Sequence, residues 1–521
     1  MPRTREHVAR RPSGALEPQN HGKRGAADEK SKSRLRGVVD SRPVHVLALA
    51  VLLALLAAPT LLPKYSVVDN DIWLHLKVGD WIIEHSAVPY TGILSRTAAD
   101  RPWMAYSWFY ELLLSRFHSW FGLAGIGVYG LLLSLAVAYS TFWMVRRLSG
   151  TFWKASLLST ATCAAYLFSV FPRPVFFSMT LFTVTLTLLL EARRTGRLQL
   201  LYWLPPLFIL WANVHIQFIY GIFTVGLFVG LAFLQECATR LELDKTSSLL
   251  RSPLPVRMLA VIFIACLVAT CIGPYFFHLY SVVFNYATSK YPYTYVAEFQ
   301  ALNFRNYTDF VQLLLTGLAF FALGRRKQLD PFLLALLPIA SIVGFRTQRD
   351  SWFICIPAAA CIATSWGGAE RERSETIWEK AGLVSAVTLL VFLYARVMGF
   401  NTPNLRLAVA SVYPVEAINF LRDHPQPGPL YNSYDWGDFI VWYMPEFPVA
   451  IDGRTDLYGD ELDTRSFLTI NGDPSSANDP ALNEANLVLL PRQRPLAIAL
   501  TFDPRFSLIY QDSLAVVFVR R

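Results

Sequence analysis

Long apolar segments recur through most of this chain and limit what it can fold into. A helix needs about 20 apolar residues to cross a bilayer. Eleven segments meet or approach that length: 44–63, 121–145, 155–171, 175–191, 198–213, 218–235, 257–273, 309–324, 331–345, 352–367 and 380–399. Only 16% of the residues are charged and the mean hydropathy is +0.36, whereas soluble domains carry about 25% charged residues. The sequence therefore predicts an α-helical polytopic membrane protein with about 11 transmembrane helices.

The positions of the basic residues predict the orientation. If the N-terminus lies inside and the segments alternate, every inner loop carries several Lys or Arg residues, such as Arg146, Arg147 and Lys154, and the outer turns carry fewer. This is the positive-inside pattern of a cytoplasmic (inner) membrane protein. Residues 1–43 are basic and poor in large apolar side chains. We expect a disordered cytoplasmic tail that sets the topology, in preference to an arm that binds nucleic acid.

The segments divide the chain into regions. Residues 44–399 form the predicted transmembrane domain, with large outer loops at 64–120 and 274–308, and residues 400–521 form a small extracytoplasmic α/β domain. An aromatic, amphipathic stretch at 103–121 is typical of an interfacial helix. In the last region the patterns predict helices at 415–424, 436–444 and 495–502, strands at 429–434, 448–453 and 485–491, and a closing hairpin of 507–512 with 514–521.

Two carboxylates follow the first apolar segment directly, in the string Asp69-Asn70-Asp71. Charged groups beside a membrane helix are costly unless a proton, a cation or a basic partner compensates them. Three interpretations are open. One carboxylate is a general base for an acceptor hydroxyl, the pair binds Mg²⁺ or Mn²⁺, or Asp69 caps the helix that starts at Ile72. The cap alternative slightly favours Asp71 as the base.

Further polar residues fall at the outer ends of the predicted spans. They are Arg173, Asn213, His215, Glu298, Arg346 and Arg349. Arginine donates paired hydrogen bonds to phosphate and stays charged, although it also anchors helices at headgroups. His215 is a candidate base or phosphate contact, and Glu298 is a candidate metal ligand, with Asp69 and Asp71, or a partner for an arginine. In the last region, Asp452 and Arg454 are candidates for a ligand or a docking role.

The order of these motifs resembles the GT-C superfamily of membrane glycosyltransferases. The strings concerned are DNDIWLHLKVGDWI, PYTGILSRT with Trp103, FPRPVFFS, LWANVHIQF, GPYFFHLY, VAEFQ, YDWGDFIVWY and IDGRTDLYG. The likeness is closest to bacterial members related to protein mannosyltransferases and lipopolysaccharide sugar transferases. It implies a polyprenyl-phosphate sugar donor, a catalytic acid at Asp69 or Asp71, and donor-phosphate contacts at Arg173, Arg346 and Arg349. Relatives usually have Asp-Glu where this chain has Asp-Asn-Asp.

The leading hypothesis is a glycosyltransferase acting at the outer face of the cytoplasmic membrane. It would move a sugar from a polyprenyl-phosphate donor to a hydroxyl of a glycan, lipid or protein acceptor, among membrane lipids and without nucleic acid. A flippase for a lipid-linked saccharide is the main alternative, and it predicts charges deep within the spans. A non-catalytic glycan-binding membrane protein is the third. The polar residues gather at one face, which favours the enzyme.

Overall fold

The computed structural model describes residues 37–167, 171, 173–241, 252–366 and 376–521. The basic tail predicted at residues 1–43 lies outside the described residues except for its last seven positions, 37–43. Two stretches of predicted inner loop, 242–251 and 367–375, also lie outside them. The remainder is mostly helical.

Helices make up most of the described residues from Arg42 to Val397. In order they are α1 (Arg42–Ala57), α2 (Pro63–Ser66), α3 (Asp71–His85), α4 (Trp108–Phe121), α5 (Leu123–Ser149), α6 (Phe152–Tyr166), α7 (Val175–Thr195), α8 (Leu204–Val214), α9 (Phe218–Arg240), α10 (Val256–Ala269), α11 (Leu279–Thr288), α12 (Tyr291–Tyr295), α13 (Tyr307–Gly324), α14 (Pro331–Arg346), α15 (Trp352–Ser365) and α16 (Ile377–Val397). Each of the eleven predicted apolar segments contains one of these helices.

Six of the described helices are long and apolar enough to cross a membrane: α1 with its 3₁₀ extension to Leu61, α5, α7, α9, α13 and α16. Shorter apolar helices lie at Leu198–Val214, Val256–Ala269, Pro331–Arg346 and Trp352–Ser365. The outer surface of α16 is apolar and exposed, as expected of a helix that faces lipid: Trp378 is 82% exposed and Val397 is 79% exposed. A surface of this kind is unfavourable in water. By its apolar helices, the chain is a multi-pass membrane protein.

The first predicted outer loop contains α2, α3 and α4. The helix predicted from residue 103 begins at Trp108 instead. The preceding residues are extended, and Pro102 pairs with Thr91 in an isolated antiparallel bridge. Because the chain before α4 is occupied in this pairing, the helix starts later than its aromatic pattern indicates.

The last region is a mixed α/β layer. Its helices are α17 (Thr402–Ala410), α18 (Val415–Asp423), α19 (Tyr434–Tyr443), α20 (Thr455–Ile470), α21 (Pro480–Glu484) and α22 (Pro495–Phe502). Its strands are β1 (Leu430–Asn432), β2 (Leu487–Pro491), β3 (Phe506–Gln511) and β4 (Ala515–Arg520). The sheet order is β1-β2-β4-β3, with β1 parallel to β2 and the other pairs antiparallel. The predicted hairpin is confirmed as β3 and β4.

The strand predicted at 448–453 is wrong. Its only strand-like pairing is a single bridge between Val449 and Ser95. The Asn432 side chain takes the place of a neighbouring strand, because its Oδ1 accepts from Ala450 N at 2.8 Å and its Nδ2 donates to Ile451 O at 2.7 Å. These side-chain bonds satisfy the backbone that alternation alone assigned to a sheet.

The last region is joined to the transmembrane helices by a shared core. Trp73 on α3 is fully buried, and its ring lies 5.2 Å from that of Phe439 and 4.7 Å from that of Trp442, both on α19. A separate small core, which includes Val488 and Phe518, lies under the sheet. The position of α3, and with it the acidic motif, therefore depends on α19.

Both outer loops are also bonded to the last region. In the first loop, Arg101 Nη1 donates to Tyr458 O at 2.5 Å, and Thr97 Oγ1 donates to Ala450 O at 2.6 Å. In the second loop, the backbone N–H of Tyr291 donates to the Asp460 carboxylate at 2.9 Å. Gly459 makes this turn possible, since its φ of 71° and ψ of 168° are accessible essentially only to glycine.

Candidate functional site

Arg173, immediately before α7, is surrounded by three carboxylates. Its Nε donates to Asp69 Oδ2 at 2.8 Å and its Nη2 to Asp69 Oδ1 at 2.5 Å. Its Nη1 lies 2.7 Å from Asp71 Oδ2 and 3.1 Å from Glu298 Oε2. Residues that the sequence placed at three separate outer turns thus meet at one guanidinium. Because three carboxyl groups surround one guanidinium, acidic groups outnumber basic groups in this cluster.

The two aspartates of the motif differ in their environments. Asp69 is 3% exposed and both of its oxygens bind Arg173, whereas the Asp71 side chain is 40% exposed. Burial raises the pKa of Asp69, and the Arg173 guanidinium opposes that rise. The interpretation of Asp69 as a helix cap is wrong: α3 begins at Asp71, its N-cap is Asn70, and the Asp69 carboxylate is bound to Arg173 instead. Asp71 is left as the accessible carboxylate.

The residue between the two aspartates is fixed by the last region of the chain. Tyr413 Oη lies 2.9 Å from Asn70 Oδ1 and 3.0 Å from Val68 O. The Tyr413 ring is buried and packs edge-on against Trp73 at 5.8 Å. Tyr413 therefore holds the Asn70 side chain and the backbone before it, which supports the turn that carries the two carboxylates.

A cavity of about 720 Å³ opens beside Asp71. Ligand sites in proteins commonly enclose about 300–1,000 Å³. The charged and polar side chains that line it are Asp71, His75, Ser107, Glu111, Arg173, His215, Glu298, Asn306, Thr308, Asp309, Gln312, Gln348, Arg349, Ser351, Asp438, Arg454, Thr455 and Asp456. They come from the outer ends of the transmembrane helices, from both outer loops and from the last region, so the cavity exists only where these parts meet.

The last region contributes an acidic wall to the cavity. Asp438 accepts from the Gly453 N–H at 2.8 Å, and burial raises the pKa of Asp438 well above its usual range, with Asp452 and Asp71 adding to the effect. Burial also raises the pKa of Asp456 to about 6, against the opposing charge of Arg454. Both residues belong to the cluster of charged residues around predicted turns of the last region, for which the sequence left a ligand role and a structural or docking role open. The surplus of carboxylates around predicted turns was visible there, but their approach to Asp71 was not.

The two arginines at and beyond the end of α14, Arg346 and Arg349, have different positions. Arg349 lines the cavity, and its Nη1 lies 3.7 Å from Glu298 Oε1. Its guanidinium also lies over the Phe299 ring at 5.0 Å. Arg346 is exposed, does not line the cavity, and lies over the Tyr293 ring at 5.1 Å. The structure therefore brings Arg349 to the site and leaves Arg346 outside it.

The two candidates of the LWANVHIQF string also separate. Asn213 is a structural residue: its Oδ1 accepts from Trp108 Nε1 at 2.8 Å, and its Nδ2 donates to Ile272 O at 2.7 Å. His215 lines the cavity, with its Nδ1 2.8 Å from Ser178 Oγ. Burial and the charge of Arg349 lower the pKa of His215 well below its usual value. The histidine is therefore neutral at physiological pH.

Asp452 and Arg454 form a buried ion pair. Arg454 Nε donates to Asp452 Oδ1 at 2.8 Å and its Nη2 to Oδ2 at 2.6 Å, and Tyr458 Oη donates to the same Oδ2 at 2.8 Å. Asp452 is 0% exposed and does not line the cavity, whereas Arg454 does. The Arg454 guanidinium lies over the Trp103 ring at 4.7 Å. This pair joins the last region to the first outer loop and supports one wall of the cavity.

One polar pair of the cavity was missed from the sequence. His75 follows Asp71 by four residues on α3, which places both on one helical face, and both line the cavity. His75 Nδ1 lies 2.9 Å from Oε1 of Glu111 on α4, and Glu111 is 3% exposed. The i, i+4 spacing from the acidic motif was a signal that could have identified His75. The pairing with Glu111 depends on how α3 packs against α4.

The arrangement of carboxylates does not suit a divalent cation. Among the described residues, no group of three or more His, Cys, Asp or Glu side chains is placed to hold a metal ion. Asp69, Asp71 and Glu298, the suggested ligands for Mg²⁺ or Mn²⁺, instead share the Arg173 guanidinium. A cation between them would face a fixed positive charge. We therefore derive no step through a metal.

No protein-family model and no curated protein matches the chain. Among solved structures, an apo oligosaccharyltransferase from Archaeoglobus fulgidus is similar with a TM-score of 0.47 and 10% identity, over 86% of this chain and 69% of that one. The oligosaccharyltransferase AglB from A. fulgidus, in complex with an inhibitory peptide and dolichol-phosphate, gives 0.48 and 11% over the same shares.

A third solved structure is matched over a larger share of its own length than the first two. ArnT from Cupriavidus metallidurans, bound to undecaprenyl phosphate, gives a TM-score of 0.45 and 15% identity over 90% of this chain and 97% of that chain. The similarity concerns the overall arrangement, and no residue's role is taken from it.

Proposed function

We propose that this protein is a membrane glycosyltransferase that moves a sugar from a polyprenyl-phosphate donor to an acceptor hydroxyl at the outer face of the cytoplasmic membrane. The observation that carries the proposal is the position of Asp71. Its carboxylate is accessible, is held by Arg173, and faces a cavity of about 720 Å³ that also contains Arg349. A base beside cationic groups is what glycosyl transfer from a phosphate requires.

In the proposed reaction Asp71 acts as the general base. The acceptor oxygen attacks the anomeric carbon, the bond from that carbon to the phosphate oxygen breaks, and its electron pair leaves with polyprenyl phosphate. Asp71 takes the acceptor proton. The sugar is inverted if attack and departure are in line. The partial exposure of Asp71 supports this role, since Asp69 has both oxygens bound to Arg173.

Arg349 is the better of the two cavity arginines for the donor phosphate. Arg173 already donates to Asp69 through two nitrogens, and its Nη1 serves Asp71 and Glu298. Among the described residues, Arg349 has one approach to a carboxylate, at 3.7 Å from Glu298, and two aromatic rings beneath it. Its N–H groups are therefore more readily redirected to a phosphate, which arginine binds through paired hydrogen bonds. Arg173 would then mainly orient Asp71.

The proposed topology places the cavity outside. It has the N-terminus inside, about 11 crossings between residues 44 and 399, and residues 400–521 on the outer side. The excess of Lys and Arg in the predicted inner loops supports it. Labelling of single cysteines introduced near Glu84 and Gln426 with a membrane-impermeant reagent tests it. Both positions should react in intact cells, whereas protection of either would contradict this orientation.

Activity is tested with purified protein in lipid nanodiscs and a panel of radiolabelled polyprenyl-phosphate sugars. Asp71→Asn should lower the transfer rate by about 10²–10⁴-fold, the usual contribution of a general base. Glu84→Gln is the matched control, because Glu84 is an exposed carboxylate on the same helix. Undiminished transfer in the Asp69→Asn, Asp71→Asn double variant would rule out the catalytic role. Movement of lipid-linked sugar across vesicles without transfer would indicate a flippase.

A further inference from the structure

The first turns of α13 form one wall of the cavity, and the side-chain oxygens of Asp309 and Gln312 in this α13 wall make few hydrogen bonds within the protein. Asp309 is 7% exposed and Gln312 is 2% exposed, and both line the cavity. Gln312 Nε2 donates to Ala165 O at 2.8 Å, but its Oε1 has no hydrogen-bond partner among the described residues. Asp309 receives a long bond of 3.5 Å from Thr308 Oγ1. A buried polar atom without a partner destabilises the fold, and a ligand that donates to it would relieve that cost.

The chemistry of this wall selects the kind of group that binds there. A carboxylate and an amide oxygen both accept hydrogen bonds. Their partners must be donors, such as sugar hydroxyls. A phosphate presents only acceptors and negative charge, so it is repelled by Asp309 and drawn to the arginines elsewhere in the cavity. The wall therefore complements the uncharged part of a glycosyl phosphate.

The α13 wall belongs to the same cavity as the arginines that are proposed to bind the donor phosphate. Gln312 is bonded to Ala165 near the end of α6, and the chain continues from there to Arg173, Pro174 and Val175, which line the same cavity. The transferred sugar is joined directly to the phosphate by its anomeric carbon. It must therefore lie close to the arginines, and the α13 wall is polar surface of the same cavity.

We propose that Asp309 and Gln312 form the subsite for the transferred sugar, and that this sugar is a neutral hexose or pentose whose ring hydroxyls donate to their side-chain oxygens. The inference rests on the proposed function and deepens it. A uronic acid is excluded, because it would place a second carboxylate against Asp309. The subsite is distinct from the general base and from the phosphate contacts.

The test is a binding measurement that needs no turnover. The full-length protein in nanodiscs is titrated with polyprenyl phosphate alone, with its neutral glucosyl and mannosyl derivatives, and with its glucuronosyl derivative. We expect at least one neutral derivative to bind about tenfold more tightly than polyprenyl phosphate and the glucuronosyl derivative to gain nothing. Equal affinity of all four lipids would overturn the subsite while leaving the proposed function standing. Binding of none of them would overturn both.

Variants locate the effect. Asp309→Leu and Gln312→Leu should remove the gain for the neutral derivative and leave the affinity for polyprenyl phosphate within twofold. Thr316→Val is the control on the same helix, because Thr316 Oγ1 donates to the Gln312 carbonyl at 2.7 Å and Thr316 does not line the cavity. An equal loss for both lipids in the two subsite variants would contradict the proposal. The wild-type series keeps it testable if a variant fails to fold.

Discussion

Asp69 and Arg173 share two hydrogen bonds, from Nε to Oδ2 at 2.8 Å and from Nη2 to Oδ1 at 2.5 Å, although they are 104 residues apart. This pairing occupies one edge of the guanidinium and leaves Nη1 for Asp71 and Glu298. The buried acid thus fixes the arginine, and the arginine fixes the acid that faces the cavity. The two aspartates of one short motif have different tasks.

Asp69→Asn should destabilise the protein more than Asp71→Asn. The Asp69 side chain is 3% exposed, and removal of one partner from a buried ion pair typically costs about 3 kcal/mol. The Asp71 side chain is 40% exposed, so solvent screens its loss. Thermal unfolding of both variants in the same detergent compares the two effects. Equal shifts in Tm would show that Asp69 is not the supporting member of the pair.

Arg349→Gln should weaken binding of the donor phosphate about tenfold, since a hydrogen bond to a charged group contributes about 1.5–3 kcal/mol. The matched variant Arg346→Gln removes the same charge three residues earlier, at an exposed position outside the cavity. Titration with polyprenyl phosphate measures both. If the two variants lose affinity to the same extent, the contribution is general surface charge and Arg349 has no special role.

His75 and Glu111 should act as one unit. We expect His75→Gln and Glu111→Gln each to lower the rate of transfer about tenfold, because Glu111 Oε1 orients His75 Nδ1 at 2.9 Å on the same helical face as Asp71. The double variant should be no slower than either single variant, as residues in direct contact are not additive. Rates at saturating donor provide the double-mutant cycle. Multiplied losses in the double variant would mean that the two residues act independently.

Asp463 should make the protein less stable as the pH rises. This carboxyl on α20 is 1% exposed, and neither oxygen has a hydrogen-bond partner among the described residues. Burial raises its pKa from 3.8 to about 9. Between those values the folded form keeps a proton that the unfolded chain has lost, so the free energy of unfolding falls with pH by up to about 1.4 kcal/mol per unit.

Asp463→Asn removes this ionisation and keeps the shape of the side chain. We expect the variant to gain stability over the wild type at pH 8 and to differ little from it at pH 4. Urea or thermal unfolding at both pH values checks the direction. Asp460→Asn provides the contrast, because hydrogen bonds from Ser289, Tyr291 and Lys290 lower the pKa of Asp460. A wild type that loses no stability relative to Asp463→Asn between pH 5 and 8 would contradict the assignment.

Local patterns predicted most of the secondary structure. Apolar length located a helix at each of the eleven segments, and alternation located β1, β2 and the β3–β4 hairpin. The strand at 448–453 failed because the Asn432 side chain bonds Ala450 and Ile451 where a neighbouring strand would have paired. This replacement of a strand partner by a side chain depends on a contact between residues about 20 positions apart. The alternation of apolar and polar residues within the segment carries no information about that contact.

The candidate site was predicted in part. Asp71, Arg173, His215, Glu298 and Arg349 line one cavity, and sequence position alone suggested their common side. Sequence did not separate Arg349 from Arg346, because the end of α14 lies between them and turns the two guanidinium groups apart. It also did not find Asp309 or Gln312, since two polar residues in an apolar helix acquire meaning only from the cavity beside them.

The bonds from the last region to both outer loops have a consequence for biosynthesis. The first outer loop leaves the ribosome more than 300 residues before Ala450 and Tyr458, which accept hydrogen bonds from Thr97 and Arg101. Until the last region is made, the acidic motif also lacks its support from Tyr413 and α19. The cavity therefore cannot be completed during translation of the membrane helices. A nascent chain would be inserted in the bilayer before it has a formed site.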